Sequence, residues 1–382
     1  MAPELAVGAY PSPRVIGVTH LFTLGWLTTS ILGALYQFMP VALGQSVPSE
    51  GLAHASFVLH VTGLPVFVGG LLTGRADATI GGASTVAAGL ALFLVNLGAT
   101  LTNGRRRDVT WWCLLGAGAC LTATLALGMA LAGNFQTGFL GGARFIALGV
   151  HLHVALGGWV LLVVVGVAQR LLPMFLLSHG VGEGPTRAAA VLIGGGAGTL
   201  VLFHPAPPLL ARWLPGLLLG GGLACFLAQA LRFYRRRVKR SLDPGMRLAA
   251  WALVLMAGGL ALAGPVIAGI ATPGMSTAYV AVLVGAFTLF VVAHYYKILP
   301  FLVWYHHFGP VAGRQPVPKV SELYHKGVAD VVGALLPLGV VAISTGVLLG
   351  SALTVRLAGV SLLVGVGLAA VQMALVARRR PA

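Results

Sequence analysis

Charge is what this chain lacks most. Only 8% of its 382 residues are Asp, Glu, Lys or Arg, where an ordinary globular domain carries about 25%. The acidic side chains number eight: Glu4, Glu50, Asp77, Asp108, Glu183, Asp243, Glu322 and Asp330. So few charges exclude a cytosolic enzyme, a disordered chain and a secreted scaffold. Cysteine is also scarce. Cys113, Cys120 and Cys225 fall in apolar stretches and form no CxxC pair, so neither a disulfide framework nor a thiolate metal site is expected. The N-terminus lacks a basic stretch leading into an apolar core and a small-residue cleavage site, so no removable signal peptide is expected.

What fills the chain is apolar: 58% hydrophobic residues and 54 glycines. A membrane helix needs about 20 predominantly apolar residues. Eleven such spans are read at 15–40, 52–73, 79–101, 110–132, 145–172, 187–203, 209–231, 248–270, 276–304, 327–349 and 353–377. The whole of 1–382 reads as one integral membrane domain, an all-α polytopic bundle. Glycines inside the spans are expected to let helices pack closely.

The net charge of +16 comes from 24 basic residues. Between apolar runs they point to an anionic lipid surface rather than nucleic acid. If the spans alternate, Arg14, Arg75, Arg144, Arg212 and Arg356 fall on one face and the other nineteen, Arg105 and the run 232–240 among them, on the opposite face. Positive residues mark the inside. The N-terminus is therefore expected outside and the C-terminus in the cytoplasm of a bacterial-type inner membrane.

Histidine carries an internal repeat. HLFTLGWLTTSILGALYQFMP (20–40) and HVALGGWVLLVVVGVAQRLLP (153–173) both fit H-x4-G-W-x6-G-x6-P, at an offset of 133 residues. The ninth span repeats the ending: counting back from Pro300 sets Gly285 opposite Gly25 and Gly158, but Val280 where the histidine would be. Repeat-like segments thus begin near 15, 145 and 276, four helices apart. An ionisable side chain in hydrocarbon is costly and usually functional. His20 and His153 sit at matched depth, each 20 residues before its proline. As two neutral imidazoles they suit the axial positions of one haem iron. His151 makes the fifth span read His-Leu-His. Residues two apart on a helix point about 200° apart, so His151 is expected to face a second haem or a polar neighbour.

At these residues the chain resembles the catalytic subunit of the heme-copper oxidase superfamily, which includes the nitric oxide reductases. The first segment looks like that family's second helix, and GVHLHVALGGW like its tenth. The resemblance covers about 50 residues in two segments. It implies a bundle in quasi-repeats of four helices, haem b, a cytochrome c or quinol as electron donor, and partner subunits. The chain also departs from the family. Its two motif helices are four spans apart rather than eight, the His306-His307 pair follows the ninth span at the cytoplasmic side, and the carboxylates fall in loops or at span ends. Copper or non-haem iron is therefore not expected.

His60 and His294, both in cytoplasmic halves of their spans, form a second candidate haem pair, each with a hydrogen bond to a neighbouring helix as its simpler role. His54, His179, His306, His307 and His325 read as interfacial, and His204 as part of an outer turn. The resemblance implies haem propionates at the outer face, which makes Arg75, Arg144, Arg212 and Arg356 candidates to pair with them. Tyr36, Gln37, Tyr295 and Tyr296 suit either a quinone pocket or snorkelling to the interface. The expected function is a membrane b-type haem protein for electron transfer or gas-ligand redox chemistry. A true nitric oxide or oxygen reductase and a haem- or metal-handling transporter are the alternatives.

Overall fold

The computed structural model describes residues 11–104, 106–203 and 209–381, without the side chains of 209–212. Glu4, Arg105, His204 and the side chain of Arg212 therefore lie outside the described residues. Among the described residues the regular secondary structure is helical, apart from two isolated bridges. Among the described residues, eleven helices are long and apolar enough to cross a membrane. They are α1 (Pro13–Leu43), α2 (Glu50–Thr73), α3 (Ala76–Asn103), α4 (Val109–Thr137), α5 (Gly141–Leu176), α6 (Gly184–Leu202), α7 (Trp213–Arg235), α8 (Pro244–Ala268), α9 (Pro273–Val311), α10 (Lys326–Leu348) and α11 (Ala352–Ala377).

Ordinary local chemistry sets the helix ends. Ser49, Asp108, Asp243, Thr272 and Ser351 each place a side-chain oxygen on the orphan amides of the helix that follows. Glycine ends several helices; Gly138, with φ +68°, turns the chain out of α4. The helices run past the motif prolines. Pro40 lies inside a helix ending at Leu43, and Pro173 inside one ending at Leu176. A proline near the last turn removes only one amide donor, so the helix tolerates it. Beyond Pro300, α9 continues through a π-helical turn that contains His306 and His307, placing both in helix rather than in a loop.

Packing runs in consecutive antiparallel pairs: α2–α3 is the most extensive contact, and α4–α5, α6–α7, α8–α9 and α10–α11 follow it closely. Glycine makes the first of these contacts possible: a Cβ on Gly82 would stand 2.1 Å from the Phe67 amide nitrogen, and one on Gly70 2.4 Å from the Thr79 amide nitrogen. α5 and α9 are the most buried spans, and α9 touches both α1 and α5. At the periphery α11 exposes Leu353, Leu357, Val360 and Val364 along one stripe. In water such a stripe is a liability; against lipid tails it costs nothing.

The basic loops converge on one face. Arg236 donates to the Gly180 carbonyl and Val238 to the Leu177 carbonyl. Lys297 pairs with Asp243 at 2.8 Å, Arg247 with Asp330, and Arg170 with Asp108.

Candidate functional site

Both copies of the histidine motif break the α-helical ladder at the same place. After His20 the backbone is π-helical over Leu21–Thr28, and after His153 it is π-helical over Val154–Val160. π-helical turns are rare and gather at functional sites. The repeat read in the sequence is thus also a repeat of backbone geometry, seated on α1 and α5, both of which touch α9.

A cavity of about 880 Å³ lies between α1, α2, α3, α4 and α5. Its size falls within the range of cofactor sites, which run roughly 300–1,000 Å³. Leu90, Leu121, Val86 and Phe67 supply apolar wall, and Arg144, Gln136 and Thr137 stand exposed at one end. No acidic side chain is among the described lining residues. His20 and His151 both open into it, with ring centres 6.3 Å apart and planes inclined by 29°. Two imidazoles holding one metal ion at about 2 Å each place their ring centres roughly 6 Å apart.

The tautomers suit ligation. His20 Nδ1 lies 2.8 Å from the Ile16 carbonyl and His151 Nδ1 lies 3.1 Å from the Thr124 carbonyl. A carbonyl only accepts, so each Nδ1 carries the hydrogen and each Nε2 keeps its lone pair. Phe67 meets the His20 ring edge-on at 5.0 Å. Gly128 of α4 leaves room for His151: a Cβ there would stand 3.1 Å from its Cε1. The indole of Trp159 lines the same cavity, and its N–H is buried without a partner.

His153 does not join His20. Two residues past His151, it points to the other side of α5, into a separate cavity of about 220 Å³ walled by Leu219, Gly220, Met256 and Tyr279. Its ring lies 5.7 Å from that of Tyr279, and its Nδ1 bonds the Gly149 carbonyl at 2.7 Å. The two histidines of His-Leu-His therefore serve different cavities, as the helical repeat requires.

His60 and His294 each bond backbone. His60 Nε2 reaches the Leu24 carbonyl of α1 at 3.0 Å, and His294 Nδ1 the Phe290 carbonyl of its own helix at 2.7 Å. The His294 ring packs on Phe290 and Phe175. Of the arginines read as propionate partners, Arg144 lies at the large cavity, whereas Arg75 is exposed and paired with Asp77. Tyr295 donates to Ser30 and Tyr296 to Gln372, tying α9 to α1 and α11. Among the described residues no three His, Cys, Asp or Glu side chains stand together as a metal set.

Sequence reasoning did not find the contributions of Thr124, Gly128 and Phe67. An aliphatic helix gives no sign of which carbonyl or gap will meet a histidine from another span. Eleven apolar helices suggest a multi-pass helical membrane protein in a lipid bilayer. No protein-family model matches the chain, and no curated protein is significantly similar to it.

Proposed function

We propose that this chain is a membrane haem protein whose cavity between α1 and α5 holds a b-type haem, with His20 and His151 as its two axial ligands. The observation that carries this reading is the 6.3 Å separation of the two rings over a cavity of about 880 Å³. Such a volume suits a flat macrocycle far better than a bare ion. The resemblance of both motif segments to the heme-copper oxidase superfamily supports the same reading.

When bound, the haem supplies a one-electron carrier. The side chains divide the remaining work. His20 and His151 present lone pairs whose direction is fixed by the Ile16 and Thr124 carbonyls. Phe67, Leu90 and Leu121 exclude water from the interior. Arg144, at the exposed end, offers a guanidinium to carboxylates. With His20 and His151 both holding the group, the site would keep no open position for a gas, which favours electron transfer over oxygen or nitric oxide reduction. The basic face is read as cytoplasmic, which sets the N-terminus outside.

The test is an optical spectrum of the protein purified from a haem-competent host, oxidised and dithionite-reduced. Sharp α and Soret bands on reduction are expected. A colourless preparation that also fails to take up added haemin contradicts the reading.

A further inference from the structure

Three buried polar atoms on the α1–α2–α3 side of the bundle have no protein partner: the Tyr36 hydroxyl, the Ser56 hydroxyl and His60 Nδ1. Ser56 and His60 are each 1% exposed. Four residues apart on α2, they share one face. His60 Nε2 donates to the Leu24 carbonyl, which leaves Nδ1 as an acceptor. The Tyr36 hydroxyl approaches both the Ser56 hydroxyl and the Asn96 side chain without a well-directed bond to either.

α3 already presses on this spot: a Cβ on Gly89 would stand 2.8 Å from the Ser56 carbonyl oxygen and 2.9 Å from the His60 amide nitrogen. One heptad further along α3, Asn96 is committed to Ser49, accepting from its amide at 3.2 Å and donating to its carbonyl at 2.7 Å. Two hydroxyl donors and one imidazole acceptor thus remain in an apolar setting. Unpaired polar groups there are expensive, and buried water is the usual remedy when two to four partners converge.

We propose that Tyr36, Ser56 and His60 bind one internal water molecule, and that this water reinforces the His60 tautomer that the Leu24 carbonyl selects. The water accepts from the two hydroxyls and donates to Nδ1. The imidazole hydrogen is held on Nε2, where it clamps the Leu24 carbonyl. Leu24 belongs to the π-helical segment that follows His20 and lines the large cavity. His60 is in this way a positioning residue for the α1 side of that cavity. The inference rests on the packing of α1, α2 and α3 and stands or falls independently of haem.

Nitrogen-15 NMR of the histidine-labelled full chain in phospholipid bilayers tests it, with His60 assigned by loss of its signals in His60→Gln. The expected result is a protonated Nε2 and a bare Nδ1 with a cross-peak to water protons. Ser56→Ala, which removes one hydroxyl without adding bulk, should weaken or shift that cross-peak while Nε2 stays protonated. A hydrogen on Nδ1 in the native chain overturns the proposal. So does a direct cross-peak from the Ser56 or Tyr36 hydroxyl with none from water.

Discussion

The rings of His20 and His151 stand 6.3 Å apart on two helices that the chain places 131 residues from each other. Each ring is anchored through Nδ1, one to its own helix and the other across to α4. The pair is therefore held from α1, α4 and α5 together. Supports of this kind fix ligand direction as much as the ligand itself does.

Gly128 is the most exposed weakness of that support. A valine there would push against His151, whose Cε1 already lies 3.1 Å from the position of a Cβ. Gly128→Val is expected to weaken haem retention by about 10- to 100-fold, the usual cost of disturbing a ligand's support. Gly133→Ala, on the same helix with no neighbour within 4 Å of its Cβ position, should leave it unchanged. Haemin titration of the stripped protein, followed at the Soret band, measures both.

Carbon monoxide reports on the axial positions. With His20 and His151 both bound, the reduced native spectrum should not shift under the gas. In His151→Ala a clear Soret shift should appear, since one face is then open. A native protein that shifts as fully as the variant would show that only one of these histidines is a ligand.

The α2–α3 contact offers a test of the fold without any cofactor. Gly82→Ala would force a Cβ to within 2.1 Å of the Phe67 amide nitrogen, whereas its neighbour Gly81 meets nothing within 4 Å. The first substitution should destabilise by about 1–3 kcal/mol as an overpacked core does, and Gly81→Ala by far less. Thermal unfolding in detergent, read by fluorescence, separates the two.

Acid should loosen the basic face. Burial alone would raise the Asp243 carboxyl, but the hydrogen bond and charge of Lys297, the Met246 amide and Lys239 outweigh it and hold the carboxyl below its ordinary value. A depressed carboxyl stabilises the fold above its unfolded value, and that contribution disappears as pH falls through the folded one. Asp243→Asn keeps the helix cap but loses the charge-assisted bond, worth about 1.5–3 kcal/mol. The variant should melt lower than the native chain at pH 7, and the gap should shrink towards pH 3.

Much of this was legible in the sequence. Long apolar runs gave eleven helices in the right order, because length and hydropathy alone decide whether a segment spans. The motif pointed to the two helices whose histidines meet at the large cavity, and His151 and His153 face opposite ways as their spacing demands. The partner of His20 was not legible. Register along two sequences suggested His153, but its ring faces the separate cavity beside Tyr279. How a span is rotated about its own axis leaves no mark in composition. Thr124 and Gly128 were hidden for a related reason: a backbone carbonyl and a missing side chain become a support only when another helix arrives beside them.

The most direct test is the reduced spectrum of three single variants, His20→Ala, His151→Ala and His153→Ala, beside the native protein. The low-spin signature should vanish in the first two and survive in the third, whose ring lies in the separate cavity beside Tyr279. Loss in His153→Ala with retention in His151→Ala would contradict the pairing of His20 with His151.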